Sequence, residues 1–481
     1  MSNTTQALSR IEAILDDSSF VEIGAAVTAR ATDFNMQEKK APSDGVITGY
    51  GVVNGNLVYV YSQDAAVLGG TIGEMHAKKI ASLYEKAMKM GAPVIGLIDC
   101  AGLRLQEATD ALNGFGEIYK NMSLASGIIP QITAVYGECG GGLAVLAELS
   151  DFVFVEEKKA KLFVNSPNAL DGNYESKLDT SSAKFMAEAG VADFAGDEET
   201  IANGVRQLVS MLPSNNAEGT VCTDNQDDLN RVCQDMAAEI ADPALALTDI
   251  SDDGVFVETK AEYAKEMVTG FILVDGVTVG AVANRTALYD ENGEKAEEFA
   301  PVLTTAGAYK AAEFVTFCNA FEIPVLTLTN IKGFEATVKS ERTIAKASAK
   351  LVYAFANADV PKVNVITGEA YGSAYVAMNS KSIGADMVYA WPQASIGMMD
   401  ASSAAKIMYA DDIAASKDVT STINEKAAEY AALQSSVDQA AARGYVDTII
   451  NPEDTRKYVI AAFEMLFDKR EVRADKKHGT V

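Results

Sequence analysis

The chain has 481 residues, of which 48% are hydrophobic and 22% are charged, a composition typical of globular proteins. This length exceeds what a single hydrophobic core usually supports, so we expect two domains or one duplicated unit. The formal net charge of −27 argues against nucleic acid as a partner, because phosphate binding requires a basic field.

Two residue types narrow the possible chemistry. The five cysteines are scattered without metal-ligand spacing, which predicts reduced thiols and no metal site. Only two histidines occur, His76 and His478, so chemistry that relies on a histidine base is nearly excluded. No apolar run reaches the roughly 18–20 residues that span a bilayer, and residues 1–10 lack the pattern of a signal peptide. We therefore expect a cytoplasmic protein.

The first half reads as a hairpin, a helix and two buried strands. A run rich in Val and Tyr begins at Thr48 and turns at Asn54-Gly55, a dipeptide typical of β-hairpins. A helical pattern covers residues 74–90, and two strands entered through proline follow at 92–102 and 129–138. Strands that alternate with helices predict a layered α/β unit.

The second half repeats this order after an acidic segment. Residues 196–253 are rich in Asp, Glu, Asn and Ser, and we interpret them as a linker with some helix. A second hairpin pattern turns at Asp275-Gly276, and a helical pattern covers 306–321. We therefore place an N-terminal domain at 1–195 and a C-terminal domain at 254–481.

The repeat has a constant offset. Pro93 and Pro324 open matching strands 231 positions apart, and Pro130 and Pro361 are separated by the same number. The same offset carries Gly141 onto Gly372. Two matches at one offset indicate an internal duplication.

A glycine turn follows the second strand in each half, at Gly137-Glu-Cys-Gly-Gly-Gly142 and Gly368-Glu-Ala-Tyr-Gly-Ser373. The first N–H groups of a helix lack intrahelical partners, and glycine lets a ligand approach the backbone. These turns predict oxyanion holes made of backbone donors. Tight strand–helix packing is the alternative for each turn. A P-loop is disfavoured because neither turn ends in Gly-Lys-Ser/Thr, and the spacing of a Rossmann motif is absent.

Several motifs resemble the β subunits of biotin-dependent acyl-CoA carboxylases, in order, from about residue 20 to 465. In the first half these are Asp44-Gly-Val-Ile-Thr-Gly49, Ser62-Gln-Asp64, Gly69-Gly-Thr-Ile-Gly-Glu-Met-His-Ala77 and Ala125-Ser-Gly-Ile-Ile-Pro-Gln131. In the second half they are Tyr263-Ala-Lys-Glu-Met-Val-Thr-Gly270, Gly280-Ala-Val-Ala-Asn284, Ala370-Tyr-Gly-Ser-Ala-Tyr-Val-Ala-Met378 and Gly384-Ala-Asp-Met-Val-Tyr-Ala-Trp-Pro392.

The resemblance implies an α/β fold of two tandem crotonase-like ββα-spiral domains, with the acyl-CoA side in the first and the biotin side in the second. It implies a homo-oligomer, usually a dimer-based hexamer, whose active site faces the first half of one chain against the second half of its partner. The expected partners are a biotin carrier protein and a biotin carboxylase subunit, or the membrane subunits of a sodium-pumping decarboxylase.

The mechanism implied by the resemblance uses backbone donors in both halves. Carboxybiotin releases CO₂ and leaves a biotin enolate on the N–H groups of Ser373 and Ala374, with Gly372 shaping the turn. Biotin then takes the α-proton of the acyl thioester, and the thioester enolate rests on the N–H groups of Gly141 and Gly142 while it attacks CO₂. This chemistry needs no protein acid or base, which agrees with the scarcity of histidine.

Further residues are expected to bind the acyl-CoA. Lys78, Lys79 and Arg104 are candidates for the CoA phosphates, although lysines on a helix are more often simply solvated. Gly102 ends the first proline-entered strand, and the resemblance places Val376 in the acyl pocket. An aliphatic side chain there suggests a small apolar acyl group.

The chain also departs from the family pattern. Residues 331–343 differ from the usual sequence on the biotin side, and Glu138 and Glu369 replace the residues usually found before the glycine turns. Carboxyl transfer between biotin and a short acyl-CoA is the leading interpretation. The alternatives are decarboxylation at the same site in a sodium-pumping complex, a non-catalytic scaffold with a degenerate biotin site, and a crotonase-type hydratase or hydrolase with Glu138 as its base.

Overall fold

The computed structural model describes residues 5–30, 34–219, 221–290 and 292–471, so His478 lies outside the described residues. The chain divides into two compact units. Unit 1 comprises Met1–Thr220 and Lys260–Tyr263, and unit 2 comprises Val221–Thr259 and Ala264–Val481. This division differs from the expected boundaries, because the segment interpreted as a linker is shared between the units. Residues 196–219 belong to unit 1, where they form a helix that packs on the N-terminal helix, and residues 221–253 belong to unit 2.

Unit 1 is built on a mixed sheet with helices on its faces. Its strands are β1 (Val21–Ile23), β2 (Val46–Val53), β3 (Asn56–Gln63), β4 (Val94–Cys100), β5 (Gln131–Gly140), β6 (Phe152–Glu156), β7 (Lys161–Phe163) and β8 (Phe194–Gly196). Its helices are α1 (Gln6–Ile14), α2 (Glu74–Met90), α3 (Ala108–Ala125), α4 (Gly142–Glu148), α5 (Asn173–Ser176), α6 (Ala183–Glu188) and α7 (Glu198–Met211). The strand order is β1-β2-β3-β4-β5-β6-β8, and β7 pairs with the end of β5.

Unit 2 repeats this plan. Its strands are β9 (Phe256–Thr259), β10 (Met267–Val274), β11 (Val277–Asn284), β12 (Ala287–Tyr289), β13 (Lys295–Glu298), β14 (Val325–Ile331), β15 (Lys362–Tyr371), β16 (Met387–Ala390), β17 (Ser395–Gly397) and β18 (Thr448–Ile449). Its helices are α8 (Met236–Glu239), α9 (Pro243–Ile250), α10 (Thr305–Ala320), α11 (Val338–Glu341), α12 (Ile344–Asn357), α13 (Gly372–Ala377), α14 (Ala401–Met408), α15 (Ala410–Ala415), α16 (Val419–Tyr430), α17 (Val437–Ala442) and α18 (Thr455–Leu466). The main sheet has the order β18-β16-β15-β14-β11-β10-β9, and β17 pairs with β15.

The offset of 231 holds at the level of strand register. In unit 1 the parallel pair β4–β5 places Cys100 opposite Cys139 after a local irregularity. In unit 2 the pair β14–β15 places Ile331 opposite Ala370 after the same irregularity. The two sheets therefore end in equivalent ways at the edge from which the glycine turns depart.

Helix α2 matches the predicted range, and its ends have clear causes. The side chain of Glu107 accepts a hydrogen bond from the N–H of Glu74 at 2.6 Å, and that of Asp44 accepts one from the N–H of His76 at 2.8 Å. Two carboxylates from other segments thus satisfy the free donors of the first turn. The helix stops at Gly91, which adopts the left-handed conformation with φ +63°.

The carboxylate of Asp151, which precedes β6, caps the start of β5 and predicts a pH-dependent stability. Burial raises the pKa of Asp151 to about 7, although the carboxylate accepts a hydrogen bond from the N–H of Gln131 at 2.8 Å. Because the folded-state pKa lies above the ordinary value of 3.8, the stabilising contribution is present at acidic pH and is lost as the pH rises towards 7. We therefore expect Asp151→Asn to raise the Tm at pH 8 and to change it little at pH 4.

The equivalent carboxylate of unit 2 supplies the control. Asp386 accepts a hydrogen bond from the N–H of Lys362 at 2.8 Å, and Lys469 pairs with it at 2.8 Å. Asp386→Asn removes an ion pair and is expected to lower the Tm at pH 8. Thermal unfolding of both variants from pH 4 to pH 8 checks this, and an unchanged pH profile in Asp151→Asn would refute the assignment to Asp151.

Candidate active site

In unit 1 the glycine turn joins β5 to α4. Gly141 has φ +63° and ψ −126°, and no atom lies within 4 Å of the position that a Cβ would occupy, so the turn is open on this side. The N–H of Gly141 donates to the carbonyl oxygen of Phe163 in β7 at 2.8 Å. The N–H of Gly141, which was predicted to be an oxyanion donor, is therefore engaged within unit 1. The donors with no intrahelical acceptor belong to Gly142 and Leu143, the first two residues of α4.

Two aromatic residues of α3 hold the start of α4. A Cβ on Gly142 would lie 2.5 Å from Cε1 of Phe115, so only glycine fits under this ring. The hydroxyl of Tyr119 donates to the carbonyl oxygen of Gly142 at 2.5 Å, which fixes the peptide plane that carries the N–H of Leu143. Neither aromatic residue could be predicted from the sequence, because nothing in their spacing distinguishes them from core residues of a helix.

A second backbone donor lies at the same edge of the sheet. Cys100 and Cys139 are neighbours in register, and Gly102 follows β4 by two residues, with φ +105° and no atom within 4 Å of a Cβ position. The N–H of Gly102 has a weak contact of 3.4 Å with Sγ of Cys100, whereas the N–H of Ala101 donates to the carbonyl of Gly69. Since the carboxyl ends of neighbouring parallel strands meet at one edge, Gly102 and Gly142 converge there.

Arg104, which was predicted to bind the CoA phosphates, is held by contacts inside unit 1. Its side chain is 2% exposed, and its Nη1 contacts the carboxylates of Asp44 at 2.5 Å and Glu107 at 2.8 Å. Its Nη2 donates to the carbonyl oxygen of Thr71 at 2.7 Å. These contacts occupy the guanidinium inside unit 1 and connect the loop after Gly102 to Asp44 and Thr71.

The two lysines on α2 differ in their surroundings. Lys79 is buried, and its Nζ donates to the carbonyl oxygens of Ser43 and Val46. Burial lowers the pKa of Lys79 to about 8. Lys78 is exposed and pairs with Glu74 at 2.6 Å. Both line a cavity of about 220 Å³, together with a third lysine, Lys86.

His76 has a structural environment. Its ring is fully buried, its Nδ1 lies 2.9 Å from the carbonyl oxygen of Asp44, and its Nε2 lies 3.2 Å from Nε2 of Gln63. Burial lowers the pKa of His76 to about 3, so the ring stays neutral at physiological pH. Glu138, the alternative base, is exposed on the strand before the turn.

In unit 2 the equivalent turn joins β15 to α13. Gly372 has φ +62°, and Ala374 is buried beneath the turn. Ser373 is exposed and lines a cavity of about 840 Å³ whose other walls come mainly from α12. Val376 is half-buried on α13 but is not among the residues that line this cavity, to which α13 contributes Ser373 and Ala377.

The repeat identifies one further residue. The offset of 231 carries Gly102 onto Gly333, which the sequence analysis did not single out. The N–H of Ile72 donates to the carbonyl of Gly102 at 2.9 Å, and the N–H of Leu303 donates to the carbonyl of Gly333 at 2.9 Å. Each unit therefore presents a glycine loop and a strand–helix turn at one sheet edge.

Across the part of the chain that the structure describes, no group of three or more His, Cys, Asp or Glu side chains is arranged to hold a metal ion. Among the same residues, no helix combines the length and apolar character needed to cross a membrane.

Comparison with known proteins identifies the family. The family model described as a carboxyl transferase domain matches residues 2–481. Methylmalonyl-CoA decarboxylase subunit alpha of Propionigenium modestum is 39% identical over 488 residues, which cover 99% of this chain and 92% of the relative. Propionyl-CoA carboxylase beta chain of Roseobacter denitrificans is 38% identical over 489 residues, which cover 99% of this chain and 93% of the relative.

A solved structure supports the same assignment. Transcarboxylase 12S with hydrolysed methylmalonyl-coenzyme A bound superposes with a TM-score of 0.91 at 35% identity, over 98% of this chain and 92% of that chain. The predicted α/β fold with two crotonase-like halves is thereby confirmed. Each of the two units has a glycine-lined sheet edge, and the family model matches nearly the whole chain. The chain therefore belongs to the carboxyl transferase domain family.

Proposed function

We propose that the chain moves a carboxyl group between carboxybiotin, carried by another protein, and the α-carbon of a short-chain acyl-CoA. The observation that carries this proposal is that the same sheet edge occurs in both units. In each unit, backbone N–H donors lie beside a glycine loop at this edge. Two separate oxyanion sites suit a reaction in which negative charge develops on a carbonyl oxygen of each of two substrates. The carboxyltransferases among the relatives use acyl-CoA substrates according to their names.

The edge of unit 1 suits the acyl thioester. Negative charge develops on the thioester oxygen when the α-carbon loses its proton or its carboxyl group. The N–H groups of Gly102, Gly142 and Leu143 are the donors nearest to this edge that remain for such an oxygen. Lys78 is exposed beside the cavity of about 220 Å³ and is proposed to attract the CoA phosphates. Lys79 and Arg104 are removed from this set, because the contacts of both cations lie within unit 1.

The cavity of unit 2, with a volume of about 840 Å³, is large enough to admit the bicyclic ring of biotin. Its walls include Ala345, Ala349 and Val352, and Ser373 presents a polar group at the turn. When bound, biotin supplies and accepts the carboxyl group. The N–H groups of Ser373 and Ala374, with Gly372 shaping the turn, are proposed to hold its carbonyl oxygen.

The proposal implies other proteins. Biotin must arrive on a separate carrier protein. In the forward direction a biotin carboxylase subunit must carboxylate this biotin. In the reverse direction decarboxylase subunits must remove the carboxyl group from the carboxybiotin that forms. We also propose a dimer-based hexamer, supported by the hexamer assembly named for transcarboxylase 12S. Light scattering tests this proposal, and a monomer would contradict it.

Decarboxylation at the same site is the second candidate. The 39% identity to a methylmalonyl-CoA decarboxylase subunit supports it as well as the 38% identity to a propionyl-CoA carboxylase chain supports the first candidate. The geometry is common to both directions, so the available partner subunits determine the direction.

One assay tests the proposed chemistry. The purified chain is mixed with malonyl-CoA or methylmalonyl-CoA, with and without biocytin, and the decarboxylated CoA ester is measured. We expect product formation that depends on biocytin, and the thioester with the larger kcat/KM indicates the acyl group. Absence of turnover with both thioesters, despite measurable CoA binding, would favour the scaffold interpretation.

A further inference from the structure

A basic strip borders the cavity of unit 2 in an otherwise strongly acidic chain. Residues 332–350 contain five cations and two carboxylates, although the whole chain carries a net charge of −27. Four of these cations lie on α11, on α12 or between the two helices, and we call them the basic rim: Lys339, Arg342, Lys346 and Lys350. The first three are exposed, and Lys350 is half-buried with its Nζ 5.2 Å from the ring centre of Tyr309.

The position of the rim follows from helical geometry. Ala345, Ala349 and Val352 face the cavity with helical spacing. Lys346 and Lys350 each follow a cavity-lining alanine, so they lie about 100° around the helix from the cavity face. Lys346 and Lys350 therefore lie beside the cavity and do not fill it, and Arg342 lies between the cavity-lining residues Glu341 and Ile344.

Three cations of the rim lack an ion-pair partner in the described part of the chain. Among the residues that the structure describes, no carboxylate forms an ion pair with Lys339, Arg342 or Lys346. By contrast, many of the other cations of unit 2 have such partners, for example Lys381 with Asp447 and Lys469 with Asp386. The cavity is mainly apolar, although its lining includes the carboxylates Glu335 and Glu341. A cluster of cations without ion-pair partners beside such a cavity attracts a ligand that combines an apolar group with negative charge around it.

We propose that the basic rim is the docking surface for the acidic face of the carrier protein that presents biotin to the unit 2 cavity. This inference rests on the proposed function and names the charge of the partner surface. The apolar cavity takes the biotin ring, and the rim contacts carboxylates beside the biotinylated lysine. Without such a rim, a chain of net charge −27 would repel an acidic carrier.

Synthetic peptides test the proposal directly. Three probes are used: biocytin, a nonapeptide with biotinyl-lysine flanked by glutamates, and the same peptide with glutamines. Decarboxylation of malonyl-CoA is measured with each probe. At low ionic strength we expect kcat/KM to be about 10-fold higher for the glutamate peptide than for the glutamine peptide. At about 1 M salt, where the Debye length is about 3 Å, we expect the two values to become equal.

A triple variant locates the effect. Lys339→Glu, Arg342→Glu and Lys346→Glu together are expected to abolish the preference for the glutamate peptide and to leave turnover with biocytin within about 2-fold of the parent, since the steering field acts mainly on charged partners. In the matched control, three exposed lysines of unit 1 are replaced by glutamate: Lys120, Lys158 and Lys184. This control is expected to keep the preference for the glutamate peptide. Fluorescence anisotropy of the labelled glutamate peptide provides a binding readout without turnover.

Several outcomes overturn the proposal. Equal turnover of the two peptides in the parent, or a preference that survives in the triple variant, shows that the rim does not dock an acidic carrier. A raised KM for malonyl-CoA in the triple variant, with both peptides still distinguished, assigns the rim to the CoA phosphates instead. Failure of biocytin itself to support turnover overturns the proposed function, and this inference with it.

Discussion

Gly142→Ala is expected to lower kcat by about 10²–10³ while the fold is retained, because a donor of the thioester oxyanion site is displaced. An added Cβ would lie 2.5 Å from Cε1 of Phe115 and 3.0 Å from the hydroxyl of Tyr119. Since both rings sit on a packed helix, the start of α4 has to shift, and the N–H groups of Gly142 and Leu143 shift with it. Biocytin-dependent decarboxylation of malonyl-CoA measures the effect, and circular dichroism checks the fold.

Gly116→Ala is the matched control for this substitution. Gly116 lies on α3 next to Phe115, and no atom lies within 4 Å of its Cβ position. An alanine there is expected to leave kcat unchanged and to stabilise the helix slightly. If Gly142→Ala retained the activity of the parent, the thioester oxygen would not be held at this turn.

Arg104→Met is expected to destabilise unit 1 by about 3–5 kcal/mol, because it leaves two buried carboxylates without their cation. Asp44 and Glu107 have fully buried side chains, and both contact the Arg104 guanidinium. Burial raises the pKa of Asp44, and Arg104 opposes this effect. Loss of the arginine therefore raises this pKa further, and the variant is expected to be less destabilised at pH 5 than at pH 8. Urea unfolding at both pH values measures the free energies.

An exposed ion pair provides the comparison. Arg30 contacts Glu74 and Asp110, and its side chain is 43% exposed. Arg30→Met is expected to cost about 0–1 kcal/mol. A similar small cost for Arg104→Met would show that Arg104 contacts a ligand or solvent and does not hold the loop together.

The features predicted correctly from the sequence are those that depend on local patterns. The range of α2 follows from apolar spacing and from Gly91, which ends the helix in the left-handed conformation. The constant offset of 231 identified matching strands, and their registers agree position by position. The family resemblance supplied the crotonase-like fold, which the superposition on transcarboxylase 12S confirms.

The features that the sequence did not reveal depend on contacts between distant segments. Arg104 resembles a phosphate ligand until Asp44, 60 positions away, is seen to contact it. Gly141 loses its free N–H to Phe163 of β7, a strand too short to predict. The expected linker is shared between the units because its helix α7 packs on α1, and sequence composition reports polarity but not such packing.

Carboxyl transfer between two thioesters tests the central claim most directly. Methylmalonyl-CoA with a ¹³C-labelled free carboxyl group is mixed with acetyl-CoA, the purified chain and biocytin, and the acceptor is analysed by mass spectrometry. We expect labelled malonyl-CoA to form only when biocytin is present. Labelled acceptor without biocytin, or release of free CoA in place of carboxyl transfer, would contradict it, and the second result would favour a hydrolase that uses Glu138.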